Sequence, residues 1–246
     1  MAHWLEPTVA ALKGIGLNYD FLLAAGERAS FLHGLVVTVQ LALATIVLSL
    51  IAGVLLAAML VSPRRSLAWP ARAFVELTRN TPTVVQLYCA FLVLNMLITQ
   101  ALEGIGRNPL SPFLWAVVVI ALHKAAFHAE ALRAGLQAVP AVTLEAAASL
   151  GFSARRRLWL VQLPLALRFA LPSLVNNLVD LIKMTTVASA IAVGDVTYQA
   201  AMIWVQRDNV LELMLLLLAW FGLLTWLVNQ GGRLLERRLR IPGYGR

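Results

Sequence analysis

Lys124 places a charged amine in the middle of an apolar stretch of the sequence. A lysine at the centre of a bilayer costs about 2.5–3.5 kcal/mol on insertion scales, so its ammonium group should face a cavity or an acidic partner. His123 precedes it. Two roles are open: Lys124 forms an ion pair with Asp180 that holds two helices together, or His123 and Lys124 face a transport path and receive the carboxylate of a substrate.

The polar residues that follow extend this candidate site. On a helix, His123 and Glu130 share one face, and Lys124 and His128 share the next. Glu130 is therefore expected to reach Arg133 or a neighbouring helix rather than a transport path.

A later apolar stretch carries polar residues at helical spacing. Asn176, Asp180 and Lys183 fall on one face, which should look at a cavity or at a symmetry-related subunit. Asn and Thr in such places more often form hydrogen bonds between helices than bind ligands. Asn95 is a weaker candidate. The residues that we assign to a possible substrate path are His123, Lys124, His128, Glu130, Asn176, Asp180, Lys183, Thr185 and Gln86.

The sequence contains no motif that indicates an enzyme active site or a metal site. His123 and His128 lie five residues apart and, with Glu130, do not match the HExxH metal motif. No GxSxG motif presents a serine nucleophile. Cys89 is the single cysteine, so no disulfide or thiolate cluster can form within the chain, and we expect it in the core. We predict no catalytic residue, no metal site and no cofactor in this chain.

A second set of residues is typical of a short helix built for docking. Thr143 is a candidate N-cap, and Glu145 would then lie in the first turn, where a carboxylate suits the helix dipole. Ala146, Ala147 and Ala148 form a small face that allows another backbone to come close. Gly151 supplies a left-handed stop. Ser153 can cap a second helix, which Pro164 ends or kinks. The alternative is an ordinary alanine-rich helix in a loop.

Membrane helices are predicted around these residues. Hydrophobic residues make up 60% of the chain and the mean hydropathy is +0.79. No charge occurs between Arg28 and Arg64 or between Arg79 and Glu103, and each gap can cross about 30 Å of hydrocarbon. Weaker stretches at residues 112–130, 165–182 and 210–228 bring the count to five spans, of which the fourth has the least certain boundaries.

Basic residues predict the orientation. They cluster after span one (Arg64, Arg65, Arg72, Arg79), between spans three and four (Arg133, Arg155, Arg156, Arg157) and after span five (Arg233, Arg237, Arg238, Arg240, Arg246). These regions should be cytoplasmic, with the N-terminus outside. The other side carries Arg107 among diluting acids. This placement at span ends explains the net charge of +8 without nucleic acid.

One transmembrane domain is predicted over residues 1–246. It comprises an external segment at 1–30, a cytoplasmic loop at 133–163 and a cytoplasmic tail at 229–246. Glu6, Lys13 and Asp20 interrupt any signal-peptide core, so the first segment is expected to be a short helix on the outer membrane surface. Residues 234–240 should form a basic amphipathic segment on the membrane surface.

The docking helix resembles a known motif. Glu145–Ala147, Gly151 and Leu163–Pro164 stand at the offsets of the EAA loop of ABC importer permeases, with Val161 where isoleucine is more usual. Further segments resemble those of the polar amino-acid permeases of that family. These are Glu76–Pro82 with Gln86–Leu87, Ala126–Glu130 with Arg133, Lys183–Thr186, and His33–Leu35 with Thr38.

The resemblance covers nearly the whole chain, and besides Val161 it departs from the family at three residues. Val142 and Thr143 stand where Gly-Gln is common, and Phe127 stands where tyrosine is usual.

The resemblance implies an all-α integral membrane protein of the type I ABC importer permease class in the bacterial inner membrane. It implies two ATPase subunits, a second permease that is identical or related, and an external substrate-binding protein, with ATP and Mg²⁺ held by the ATPase. The substrate would be a polar amino acid. The intramembrane charge of Lys124 adds a slight preference for acidic or amide side chains, because it would complement a second carboxylate. The alternative is a structural or regulatory subunit that docks an ATPase without a substrate path. The residues implied in coupling are Glu145, Ala146, Ala147, Gly151, Leu163 and Pro164.

Overall fold

The computed structural model of the protein describes residues 5–102 and 108–239, and these residues form helices without strands. Expectations that fall on Glu103, Arg107, Arg240 and Arg246 lie outside the described residues. In chain order the helices are α1 Glu6–Gly14, α2 Ala25–Leu60, α3 Arg65–Arg79, α4 Thr83–Ala101, α5 Pro112–Gln137, α6 Ala141–Ser149, α7 Ala154–Ile191, α8 Val196–Arg207 and α9 Val210–Leu239.

Five of these helices, α2, α4, α5, α7 and α9, are long and apolar enough to cross a membrane. The predicted number of spans is therefore confirmed. The fourth span is longer than predicted, since α7 has 38 residues and, at 1.5 Å per residue, extends roughly 57 Å. A bilayer core is only about 30 Å thick, so part of α7 must project beyond the hydrocarbon.

Two of the spans contain π-helical turns. These turns cover Cys89–Leu94 in α4 and Leu158–Gln162 in α7, and α7 ends in a 3₁₀ segment at Thr185–Ile191.

Cys89 is exposed, so its predicted core position is wrong. The side chain of Asn95 accepts hydrogen bonds from Trp115 Nε1 and Asn108 Nδ2, both at 2.8 Å, and this gives Asn95 a structural role in α4.

The described residues divide into two compact units, and the long helices contribute to both. The first unit lies within Met1–Ala44, Val84–Val117 and Ile182–Leu224. Its core contains the buried side chains Val9, Phe21, Phe31, Val196, Ala200, Ile203, Leu213 and Leu217. The predicted N-terminal helix is present as α1, and it joins this core through Val9.

A close helix contact in the first unit depends on glycine. A Cβ on Gly34 of α2 would lie 2.9 Å from Val196 Cα at the start of α8. The Thr38 hydroxyl donates to the Gly34 carbonyl at 2.9 Å and accepts from Val196 N at 3.0 Å. Asp195 caps α8 by accepting from Tyr198 N at 3.1 Å. The segment around His33–Leu35 and Thr38 therefore serves to seat α8.

The second unit lies within Thr45–Thr83, Val118–Leu181 and Thr225–Arg246. Small residues at its centre let the helices approach closely, as is common between membrane helices. Gly135 of α5 packs so tightly on Ala166 of α7 that a Cβ would collide with the Ala166 carbonyl. One core of this unit consists of Ala57, Leu60, Ala71, Val75, Ala126 and Ala129.

The C-terminal helix extends into the predicted tail. α9 continues without a break from span five to Leu239, so residues 234–239 of the predicted amphipathic segment form the end of that helix. The i,i+4 spacing of Leu235 and Leu239 suits this continuation, because a helix can extend its apolar face past the hydrocarbon.

Candidate functional site

The docking helix predicted from the EAA residues is present as α6, and Gly151 ends it as expected. Gly151 has φ +82°, in the left-handed region. Its N–H donates to the Ala148 carbonyl at 2.9 Å, and Phe152 N–H donates to the Ala147 carbonyl at 3.1 Å. This paired pattern is the Schellman motif, in which a glycine closes the helix at no steric cost.

The start of α6 was predicted incorrectly. The N-cap is Pro140, whose extended backbone (φ −61°, ψ 135°) leads into Ala141, and no side chain caps the helix. Thr143 therefore lies inside the helix and does not cap it. Glu145 is the fifth residue of α6 rather than a first-turn residue. Proline is tolerated at the start of a helix, because the first N–H groups have no partner within the helix. Pro140 therefore marked the start of α6 in the sequence, but Thr143 was chosen as the N-cap instead.

The surface of α6 is apolar and unusually open. Val142 is 73% exposed and Leu150 is 79% exposed, and Glu145 and Ala146 are exposed between them. Ala147 is the exception, since it turns inward and is buried. The helix thus presents large apolar side chains around one carboxylate. Exposed apolar patches of this kind are typical of surfaces that bind a partner.

The chain leaves α6 in the predicted way but does not stop at Pro164. Ser153 caps α7 by accepting from Arg156 N. The helix then runs through Leu163 and Pro164, so of the two predicted alternatives, an end or a kink at Pro164, the first is wrong. Pro164 has no N–H and cannot donate the usual helical hydrogen bond. The preceding π-helical turn, Leu158–Gln162, lets the helix continue in spite of this missing bond.

The intramembrane lysine has an acidic partner in the second unit. Lys124 Nζ forms an ion pair and hydrogen bond with Asp180 Oδ2. The Lys124 side chain is 2% exposed, whereas that of Asp180 is 54% exposed. The Phe127 ring centroid lies 4.9 Å from Lys124 Nζ and adds a cation–π contact. The structure thus contains the ion pair that was one of two predicted roles, with its carboxylate open to the surroundings.

The two histidines near Lys124 differ in their surroundings. His123 Nε2 lies 3.0 Å from Thr83 Oγ1, and its ring lies 5.3 Å from the ring of Phe127. His128 is fully buried, and neither of its ring nitrogens has a hydrogen-bond partner in the described chain. A Cβ on Gly53 would come within 2.7 Å of His128 Cβ, so α2 presses against it. These contacts leave both histidines in the helix packing rather than on an open surface.

Glu130 is directed away from the lysine, as predicted. Its carboxylate accepts from Arg133 Nη2 at 2.7 Å and lies 3.9 Å from Arg79 Nη1. Arg79 in turn places its guanidinium carbon 5.2 Å from the Phe127 ring. The sequence analysis did not connect Arg79 with this cluster. The available signal was that Arg79 and Phe127 stand in the two segments Glu76–Pro82 and Ala126–Glu130 that resemble the same family.

The stripe along α7 is polar and open. Asn176, Asp180 and Lys183 are all exposed or partly exposed. A polar face in a membrane span must look at a cavity, at water or at a partner chain. Thr185 is different, since it is buried and its hydroxyl donates to the Ile182 carbonyl at 2.7 Å. Gln86 in α4 is half-buried.

These features define a multi-pass α-helical membrane protein with a polar face along one span and an exposed, largely apolar helix, α6. The family of binding-protein-dependent transport system inner membrane components matches residues 47–241 of this chain. The chain belongs to this family, and it is a multi-pass permease subunit of an amino-acid ABC importer in the bacterial inner membrane.

Curated relatives span most of the chain. The arginine transport system permease protein ArtQ of Bacillus subtilis is 28% identical over 224 residues, which cover 91% of this chain and 99% of that protein. The glutamate transport system permease protein GluC of Corynebacterium efficiens is 39% identical over 174 residues, 68% of this chain and 74% of that protein.

Solved structures show the same fold. The crystal structure of an amino acid ABC transporter with histidines has a TM-score of 0.75 at 29% identity, and the match covers 90% of this chain and all of that chain. The inward-facing MetNI methionine transporter has a TM-score of 0.65 at 20% identity and supports the fold alone. The type I importer permease fold predicted from the sequence is confirmed. Nothing favours the alternative of a subunit without a substrate path.

Proposed function

We propose that this permease carries polar amino acids through its own spans, with a preference for acidic or amide side chains. The observation that supports this most is the Lys124–Asp180 pair, whose carboxylate is half exposed on the polar face of α7. A purely structural pair gains nothing from keeping one partner open. An α-ammonium group can approach the open carboxylate of Asp180, which the buried Lys124 holds in place.

The preference for acidic and amide side chains rests on charge and on one relative. Among the residues assigned to the path, Asp180 balances Lys124, Arg133 neutralises Glu130, and Lys183 adds an exposed positive charge. A second carboxylate or an amide oxygen complements that charge. The glutamate permease GluC, at 39% identity, is consistent with this substrate class.

Transport in this proposal is driven by a partner ATPase that holds ATP and Mg²⁺. The exposed face of α6 docks on that ATPase through Val142, Glu145, Ala146 and Leu150. Gly151 fixes the end of the helix, and Leu163 and Pro164 continue into α7. Movement of α6 then passes directly into α7, which carries Asp180, so that the spans alternate between two access states.

The proposed assembly follows from the family. It has this chain with a second permease, identical or related, two ATPase subunits and an external binding protein that delivers substrate. The N-terminus and residues 1–30 lie outside. Residues 133–163 and 229–246 lie in the cytoplasm, as the basic residues indicate. The whole chain forms one permease domain.

Uptake by the reconstituted complex tests the proposal. Proteoliposomes that contain the permease, its ATPase and its binding protein should take up glutamate, aspartate, glutamine or asparagine in an ATP-dependent way. Complexes with an ATPase-dead partner serve as the control. Strong uptake of arginine or lysine without competition from glutamate or aspartate would overturn the proposed preference. Absence of uptake for every amino acid would overturn the transport function.

A further inference from the structure

A polar cavity lies beside the C-terminal ends of α2 and α5 and the second half of α3, and neither Lys124 nor Asp180 lines it. It has a volume of about 510 Å³, within the range of small-molecule sites, which is roughly 300–1,000 Å³. Its charged and amide side chains are Arg72, Glu76, Glu130, Arg133 and Gln137. All of them belong to the second unit.

The cavity has two basic and two acidic side chains, and only those on α5 form ion pairs within the described residues. On the α5 wall, Arg133 holds Glu130 at 2.7 Å and donates to Gln137 Oε1 at 3.0 Å. On the α3 wall, Arg72 and Glu76 stand one helical turn apart with exposed side chains. Neither forms an ion pair with another residue of the described chain. Within the described residues, this wall thus offers a cation and an anion that a ligand can use.

This arrangement selects a class of ligand. A phosphate or other pure anion meets two carboxylates, and a pure cation meets two guanidinium groups, so like-charge repulsion disfavours both. A zwitterion satisfies both groups of the α3 wall, because its carboxylate can bind Arg72 and its ammonium group can bind Glu76. Arginine binds carboxylates with a forked pair of N–H donors. Free amino acids are small zwitterions, and this chain is a subunit of an amino-acid importer.

The position of the cavity connects it to coupling. Arg133 and Gln137 lie in the last two turns of α5, and Pro140 begins α6 three residues after Gln137. A ligand that bridges α3 and the end of α5 therefore restrains the start of the docking helix.

We propose that this cavity binds the α-carboxylate and α-ammonium groups of an amino acid on the cytoplasmic side, and that its occupancy slows further import. The inference rests on the proposed function and topology. It adds a feedback site on the permease itself, which shares only Glu130 with the residues assigned to the path. The amino acid that accumulates inside would hold α3 and α5 together and resist the movement of α6.

Proteoliposomes with the ATPase facing outward provide the test. Binding protein and substrate are enclosed, ATP is added outside, and glutamate, glutamine and arginine are added outside one at a time. We expect the external amino acid to inhibit ATP hydrolysis. The paired substitution Arg72→Gln with Glu76→Gln should raise the inhibitory concentration by at least about tenfold, the loss expected for charge-assisted contacts.

Two controls make the result specific. Arg65→Gln removes an exposed arginine from the same helix outside the cavity and should leave inhibition unchanged. The decarboxylated amine and the deaminated acid of the effective amino acid should inhibit poorly, because each lacks one of the two charges. Uninhibited hydrolysis in the wild type, or equal inhibition in the paired variant, would overturn the inference. Normal transport in those same vesicles would show that the proposed function still stands.

Discussion

The two partners of the Lys124–Asp180 pair differ in burial, and this difference determines how substitutions of either residue should affect the protein. The lysine is buried, whereas the carboxylate is half exposed. Removal of the lysine takes a costly charge out of the membrane but leaves Asp180 without its partner. A ligand role and a structural role therefore differ in their response to the loss of both charges.

We predict that Lys124→Met lowers uptake by at least about tenfold, equivalent to about 1.4 kcal/mol on the transport barrier. Insertion and ATPase assembly should stay normal, because methionine fits an apolar span. The double variant Lys124→Met with Asp180→Leu separates the two roles.

Persistent loss of uptake by a well-assembled double variant would support the ligand role. Restored uptake would show instead that the pair only holds α5 and α7 together. Uptake per assembled complex, with assembly measured by co-purification of the ATPase, is the quantity to compare.

Asp195 provides a residue-scale prediction outside the spans. Burial raises the pKa of its carboxyl to about 6, although the N–H groups of Tyr198 and Thr197 oppose the shift. The protonated form is thus favoured in the folded protein. The stability that goes with protonation is present below about pH 4 and is lost as the pH rises through about 6.

Asp195→Asn should remove this dependence, because a neutral amide can still cap α8. At pH 7 the variant should be more stable by up to about 3 kcal/mol, the equivalent of two pKa units. The measurement is thermal unfolding in detergent from pH 4 to 8, taken as variant minus wild type. A difference that stays constant over this range would contradict the prediction.

Sequence and structure agree at the residue scale where the cost of a buried charge forces a partner. That rule indicated Asp180 for Lys124 and Arg133 for Glu130. It could not indicate the Arg79 contact or the Thr83–His123 contact, because these depend on how α3 and α4 are rotated against α5. Cys89 shows the same limit, since its position in a span does not say which side of the helix it occupies.

The element scale shows which local signals are strong. Glycine at a left-handed position and serine at an N-cap were predicted correctly at Gly151 and Ser153. The start of α6 was not, because Thr143 and Pro140 are both credible starts. The continuation of α7 through Pro164 was missed because a π-helical turn depends on packing rather than on residue type.

Coupling is tested best on α6 itself. Glu145→Lys reverses the charge in the centre of an exposed apolar face, so we expect ATPase docking to fail. Gly151→Leu forces a branched side chain into the left-handed region, at a cost of about 1–2 kcal/mol, and should shift or fray the end of α6.

Both α6 variants should insert normally yet show uncoupled or unassembled ATPase. Substrate-stimulated ATP hydrolysis and co-purification are the readouts. Ser149→Ala serves as the matched control, since it removes only a hydroxyl that bonds to the Glu145 carbonyl within the helix. Normal transport by both variants would rule out α6 as the coupling element.

At the scale of the whole molecule, the distribution of charged residues along the chain predicts the number of spans and their orientation. The net charge of +8 is concentrated at span ends, and the five spans place those ends alternately on two sides. Composition was sufficient to predict the number of spans, because soluble proteins rarely contain such long apolar stretches without a charge. It was insufficient for the ends of α7 and α9, whose helices continue past the apolar stretch.

Sidedness is the property on which the coupling and feedback proposals both depend, and labelling tests it directly. In a Cys89→Ser background, which removes the exposed native thiol, single cysteines replace Arg107 or Arg156. An impermeant maleimide added to intact spheroplasts should label the cysteine at 107 and leave the cysteine at 156 unlabelled until the membrane is opened. The basic residues predict this pattern because they are retained on the cytoplasmic side. The opposite pattern would place α6 outside, where no ATPase could reach it, and would refute the topology and the coupling assignment together.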